Sequence, residues 1–475
     1  MKKPELCLLL LLSLLTFSFL STSTASHHDQ SYDLREKQEW QKGGNNPYVF
    51  GEESFEYLVR SEQGKVKVLK PFPELSPLLQ GIANYRIDYL ETEPLTFVVP
   101  THLDADSIFY VVEGEGAIAL LHEGSRESHI LEKGDIIRVW AGSIIYLINK
   151  SKNQKLKVAK LLQPVGNPGR VQVFYSAGGD QEAESYYQSF SIELLEAALN
   201  TRRDRLHQFF ASQRSEAIIK APEEKIRAIA QHSSRSESGP WPFIRSKRPF
   251  NLLNKQPSYK NRRGQLYEAD KNDYDELKDL NARVSYTNIS RGSMLAPFIN
   301  TRAFKIAVVV KGSGYVEIIS PEEKDNWLRQ SRREHKEAEP WRQPEETGRR
   351  YTRVSSLLSE GSVFVSPPGH PTAIVASKEQ NLQIVCFEVR AENNELVFIA
   401  GKNNILSELQ EEAKELAFGV PAKMVDEVLR GQEEEVFLAG PRERERERER
   451  ETEREEGGKH EKPLMESIME VVEGF

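Results

Sequence analysis

Cysteine is almost absent from this 475-residue sequence, which has only Cys7 and Cys386. Cys7 falls in an N-terminal apolar run, so a processed chain keeps Cys386 alone and no intrachain disulfide can form. A chain without disulfides must be held by the size of its core. Here 475 residues at 38% hydrophobic content suffice for two ordinary domains. Cys386 lies in the strand-like run Leu382–Val389 with no histidine near it in sequence, so it reads as a small buried hydrophobe.

Long apolar runs are scarce too. Leu8–Leu20 follows Lys2 and Lys3, precedes the small residues Ser23-Thr24-Ala25, and is short for a span. It reads as a signal peptide over residues 1–25, with 26–45 a variable N-terminal segment. No later segment is long and apolar enough to span, so no membrane is expected for the mature form. An excess of one charge is also missing. The 64 Lys and Arg stand against 72 Asp and Glu, and the formal net charge is -8. That removes the electrostatic basis for holding nucleic acid. There is no Gly-x-Ser-x-Gly elbow, and the Gly-x-Gly turns sit in hairpins and not at strand-to-helix crossings.

What is present is a repeat. Phe109–Ile118 and Ile306–Val316 are both apolar strand, Gly-x-Gly turn, apolar strand. Leu131–Gly142 and Leu358–Gly369 repeat a glycine, a strand and a glycine-containing turn at one spacing. Short strands set off by turn residues predict an antiparallel barrel or sandwich in each half. Helices should follow each one. Ile192, Leu195 and Leu199 share a face, Thr201 is placed as an N-cap with Asp204 three residues on, and Pro222 opens a helix with Ile226, Ile229 and Ala230 inward. Leu406, Leu409, Ala413 and Leu416, then Pro421 with Met424, Val425, Val428 and Leu429, echo this in the second half.

The divisions that follow are 46–232 for the first barrel with its arm, 233–247 for a linker, 248–438 for the second, and 439–475 for a tail. The charged insert 321–350 and the Glu/Arg run 441–456 read as disordered.

Several segments then resemble vicilin-type (7S) seed globulins of the bicupin superfamily: Asn46-Pro47-Tyr48, Pro100–Asp106, Lys160–Val165, Phe250–Lys255 and Asn300–Ala303. The resemblance covers about 46–438. It implies a mainly β fold of two cupin (jelly-roll-like) β-barrels, each followed by a helical arm. It also implies a homotrimer, delivery through the secretory pathway to the protein storage vacuole, and a non-catalytic nitrogen and carbon reserve cut by processing and germination proteases. The C-terminal residues 469–475 resemble a vacuolar sorting signal. A small-ligand bicupin, binding a sugar or plant acid, is the alternative.

Cupin enzymes hold a metal with His-x-His, a Glu five residues on and a later His. Counting back from Gly114 puts Pro100, His102 and Ser107 at the first three positions, with Ile145 at the last. Counting back from Gly312 puts Phe298, Asn300 and Lys305 there, with Thr372 last. One ligand of eight remains, so neither a metal nor another cofactor is expected. The copper pattern of some relatives leaves His370, with Glu322 in place of a better ligand. His370, Glu322 and His102 are therefore the only metal candidates. Asn149 and Asn288 head glycosylation sequons. Leu195, Leu199, Met424 and Leu429 are the expected trimer contacts, because an amphipathic arm must bury its apolar face.

Overall fold

A computed structural model describes residues 46–122, 124–178, 183–214, 216–234, 248–321 and 351–441. The signal peptide, the N-terminal segment, residues 235–247 of the linker, the insert from Glu322 onward and the tail from Arg442 onward lie outside the described residues. Among the described residues no helix is long and apolar enough to cross a membrane.

The chain divides into two compact units. One comprises 1–46 and 319–357; its described residues include the extended run 351–357, and the Asn46 amide donates to the Ser355 carbonyl at 3.4 Å. The other, 47–318 and 358–475, holds both barrels.

Strands of the first half are β1 (Val49–Phe50), β2 (Phe55–Ser61), β3 (Gly64–Leu69), β4 (Arg86–Thr92), β5 (Thr96–Leu103), β6 (Ala105–Glu113), β7 (Glu115–His122), β8 (Ser125–Glu132), β9 (Asp135–Val139), β10 (Ile144–Asn149), β11 (Leu156–Pro164), β12 (Val173–Tyr175) and β13 (Ile218–Lys220). The second half repeats them in order: β14 (Phe250–Asn251), β15 (Tyr259–Asn261), β16 (Gly264–Ala269), β17 (Ala282–Ile289), β18 (Ser293–Asn300), β19 (Phe304–Lys311), β20 (Gly314–Pro321), β21 (Tyr351–Leu358), β22 (Val363–Ser366), β23 (Thr372–Ala376), β24 (Leu382–Val389), β25 (Leu396–Phe398) and β26 (Phe437–Ala439).

One sheet runs β14-β9-β6-β11-β4-β3-β2, and its counterpart runs β1-β22-β19-β24-β17-β16-β15. The smaller sheets run β12-β5-β10-β7-β8, with β13 also on β5, and β20-β23-β18-β25, with β26 also on β18. The order is the same in both halves with one exception. The first strand of each half is exchanged, so β1 pairs with β22 and β14 pairs with β9. Asn251 fastens one exchanged strand: its Nδ2 donates to the Lys133 carbonyl at 3.0 Å and to Asp135 Oδ1 at 2.8 Å. Tyr48 fastens the other by accepting from the Val365 N–H at 2.8 Å.

Both Gly-x-Gly hairpins are where the repeat puts them. Gly114 and Gly312 hold φ of 86° and 89°, and a Cβ on either would meet a backbone carbonyl, of Lys155 or Asn381. Only glycine suits both demands. Between the two sheets of the first barrel lies an apolar core that includes Val98, Phe109, Val111, Ile118, Ile137, Leu147 and Val158. Alternation along each strand sends these inward.

The arms form as α1 (Ile192–Ala198), α2 (Arg203–Ala211), α3 (Glu223–Ser234), α4 (Glu411–Phe418) and α5 (Ala422–Leu429). Two expectations change. Arg202, not Thr201, takes the N-cap position of α2, and the Thr201 hydroxyl instead donates to the Leu199 carbonyl. The apolar run from Leu406 is not one helix: Ile405–Glu408 is a 3₁₀ turn, and α4 starts after it.

Candidate functional site

In the second barrel, the four positions where a cupin would place its ligands lie on one inner face. Phe298 pairs with Thr372, and Lys305 pairs with both Ser366 and Glu388. What converges there is an ion pair. Lys305 Nζ is 2.6 Å from Glu388 Oε1, and the two residues are 3% and 1% exposed. Asn394 Nδ2 lies 3.4 Å from Glu388 Oε2 and 3.4 Å from Asn300 Oδ1, while its own Oδ1 accepts from the Arg302 and Ala303 N–H groups at 2.9 Å. Ser366 and Thr372 share a hydroxyl bond of 2.8 Å. Burial works to lower the Lys305 pKa, but the Glu388 carboxylate outweighs it and holds the ammonium above its ordinary range. A divalent ion at Glu388 would have to displace that ammonium. Beneath it, burial pushes the Cys386 thiol up to about 11, consistent with an inert core residue.

The first barrel differs. Its rung equivalent to Lys305–Glu388 is Ser107–Leu162, and the Ser107 hydroxyl is spent on the Ala105 carbonyl at 3.1 Å. One step further in, where the second barrel has Cys386 opposite Ser285, the first has Lys160 opposite Asp88 at 3.1 Å. The Lys160 ammonium sits 5.0 Å from the Phe109 ring centroid. Burial raises the Asp88 pKa despite Lys160.

His102 does not face this interior. Thr101 pairs with the core residue Ile145, whereas His102 pairs with Phe174 and stacks on it at 5.0 Å between centroids. The partner of Ile145 lies thirteen residues before Gly114, and that of Thr372 fourteen before Gly312, so counting back from the glycine misplaces His102 by one position. Burial lowers the His102 pKa. His370 belongs to the second half. Its Nδ1 is 3.0 Å from the Pro368 carbonyl and its Nε2 3.5 Å from the Tyr48 hydroxyl. Glu322 lies outside the described residues. Among the described residues, no group of three or more His, Cys, Asp or Glu side chains is placed to hold a metal ion.

The remaining candidates also separate. Asn149 is 1% exposed, and its Nδ2 donates to the carbonyls of Thr92, Glu93 and Gln154 at 3.3, 3.0 and 2.9 Å. The nitrogen a glycan would need is engaged inside the fold, so a glycan on Asn149 would require these three contacts to open. Asn288 is half-buried in β17. Leu195, at 3% exposure, packs into its own chain and cannot be a trimer contact. Leu199 and Met424 are exposed and Leu429 is half-buried. Leu416 and Val428, at 87% and 73% exposure, extend the apolar surface of the second arm.

The sequence pattern of the Cupin family matches residues 250–426. The chain is 44% identical over 399 residues to "Vicilin Jug r 6.0101" of Juglans regia, covering 83% of this chain and 78% of the relative. It is 43% identical to "Globulin-1 S allele" of Zea mays, covering 84% and 71%. The crystal structure of vicilin from Corylus avellana superposes with a TM-score of 0.75 at 43% identity, covering 83% of this chain and 100% of that one. A vicilin from Solanum melongena, described as having different anionic ligands in structurally similar pockets, matches with a TM-score of 0.75 at 34% identity, covering 84% and 99%.

Proposed function

Because this chain belongs to the vicilin family of 7S globulins, we propose that it is a seed storage protein, a non-catalytic nutrient reserve assembled as a homotrimer. The observation that carries the non-catalytic reading is the Lys305–Glu388 pair. It fills with fixed, mutually neutralising charge the place where a cupin enzyme needs an open metal. The test is metal analysis of purified protein together with oxidase and decarboxylase assays against plant acids. A stoichiometric transition metal with turnover would overturn the reading.

The exposed apolar residues of the arms, Leu199, Leu416, Met424 and Val428, support assembly. Light scattering should give about three times the monomer mass. Met424→Glu with Val428→Glu should lower it, and a monomeric wild type contradicts the trimer. Delivery to the storage vacuole would use the leader over 1–25 and the C-terminal residues 469–475. Deleting 469–475 should then divert the chain to secretion. A glycan would sit at Asn288 alone.

The alternative, a barrel that binds a sugar or plant acid, has the Solanum melongena relative in its favour. Against it, the Lys305 cation is already neutralised. Thermal-shift measurements with acetate, oxalate and sucrose separate the two readings, since a reserve protein shows no ligand-dependent shift.

A further inference from the structure

A buried histidine stands beside the seat of β14. His129 lies on β8 opposite Ile118, on the inner side of the sheet with the core residue Leu131, and is 6% exposed. Its Nε2 has no hydrogen-bond partner among the described residues. Glu127 Oε2, on the same strand, is 3.7 Å from that nitrogen, too far for a hydrogen bond. The opposite face of this sheet is covered by α3, through Ile226 against Ala117 and Ile148.

The chain re-enters the first barrel at this point. Arg248 is exposed, stands two residues before Phe250 at the start of β14, and sets its positive charge against His129. The stretch that follows His129 supplies the seat. The Gly134 carbonyl accepts from the Leu252 N–H at 2.9 Å, and the Lys133 carbonyl and Asp135 carboxylate hold Asn251. At the matching positions of the repeat the second half has Ser356 for His129 and Ser362 for Asp135, neither of which titrates.

We propose that His129 is an acid-sensitive latch on the first barrel's exchanged strand: protonating its buried ring sets imidazolium against the Arg248 guanidinium where the chain returns, and so frees β14 from β9. Burial lowers the His129 pKa, Glu127 offsets this only in part, and Arg248 adds to it. A ring that holds its proton less tightly in the closed form favours closure fully above the ordinary histidine range. It loses that contribution as pH falls through about 6.5. Asp135 acts in the other direction: burial raises its pKa, so its own protonation favours closure and opposes the opening as pH falls further. A reserve protein with such a latch stays shut in a neutral compartment and presents its first clasp to proteases in an acid one. The opening itself does not depend on the storage reading; only this use of it does.

The test is hydrogen exchange read by mass spectrometry on the full chain, corrected for the intrinsic effect of pH. Opening of the amides in 248–255 should rise at least about fivefold between pH about 7 and about 5, with a ceiling near about thirtyfold set by an ordinary histidine in the open state. His129→Gln should abolish the rise. Arg248→Gln, at an exposed side chain that folding does not need, should cut it by about half or more. The strand β24 should show no such change, because the opening is local. The proposal is overturned by a wild type whose 248–255 amides open equally at both pH values, by an undiminished rise in either variant, or by a parallel rise in β24.

Discussion

The two barrels share strand order but differ in where each keeps its buried charge. The first holds Lys160–Asp88 deep between its sheets, and the second holds Lys305–Glu388 one rung nearer the end. Each pair stands where the other barrel has uncharged residues, Cys386 and Ser285 in one case, Ser107 and Leu162 in the other. The difference teaches that the fold tolerates an internal ion pair at more than one level, provided both partners arrive together. It also shows two balances between solvation and attraction. Glu388 holds Lys305 firmly charged, whereas burial weakens the charge on Asp88 even beside Lys160.

Four measurements sharpen or break that comparison. The largest effect is expected from Lys305→Met, which strands the Glu388 carboxylate and should lower unfolding free energy by about 3–5 kcal/mol in urea titrations. Combining it with Glu388→Leu should restore most of the loss, since an apolar pair has no charge to desolvate. Lys160→Met should cost less, because Asp88 can answer by taking up a proton. Equal costs for the two lysines would erase the distinction.

The exchanged strands come next. Phe50 is buried where β1 lies on β22, and Phe250 is half-buried where β14 lies on β9. Phe50→Ala should cost about 3–5 kcal/mol and Phe250→Ala roughly half as much. A reversed order would mean that the second clasp, not the first, carries the join. Gly114→Ala and Gly312→Ala should then cost about 1–3 kcal/mol each, and equally, because both force a Cβ into a carbonyl at positive φ. Unequal losses would show that the hairpins are not equivalent.

The smallest effect is in pH dependence. The folded Asp88 carboxyl binds its proton more tightly than the unfolded one, so this group favours folding fully below the ordinary aspartate range. It loses that contribution as pH rises through its raised folded value. The stability of the wild type relative to Asp88→Asn should therefore improve as pH falls from neutral toward about 4. A gap that narrows on acidification would show the opposite shift.

Much of the fold was legible in the sequence. The hairpin glycines, the alternating strands and the helix-opening residues Pro222 and Pro421 are local signals, and each marks its element. The exchanged strands are two residues long, too short for any periodicity to show. The ion pairs were hidden for another reason. Lys305 and Glu388 stand 83 positions apart, and nothing near either announces its partner. The counting that placed His102 inside failed because the path from Thr101 to Gly114 is one residue shorter than that from Phe298 to Gly312, and a single residue turns a strand side chain to the other face. The burial of Asn149 was hidden too, since a sequon cannot show that its amide is turned toward three carbonyls. Leu195 and Leu199 look alike on a helical wheel, yet the fold buries only the former.

The strand exchange sets a timetable for biosynthesis. Phe50 emerges from the ribosome roughly 300 residues before its partner Val363, a wait on the order of tens of seconds at ordinary translation speed. During that interval one clasp has no seat, and β9 stays an open template for stray pairing until Phe250 and Asn251 emerge. Neither half can be completed alone, so chaperone attention should be needed most in the gap between the first barrel's last strand and the arrival of the second barrel's β22.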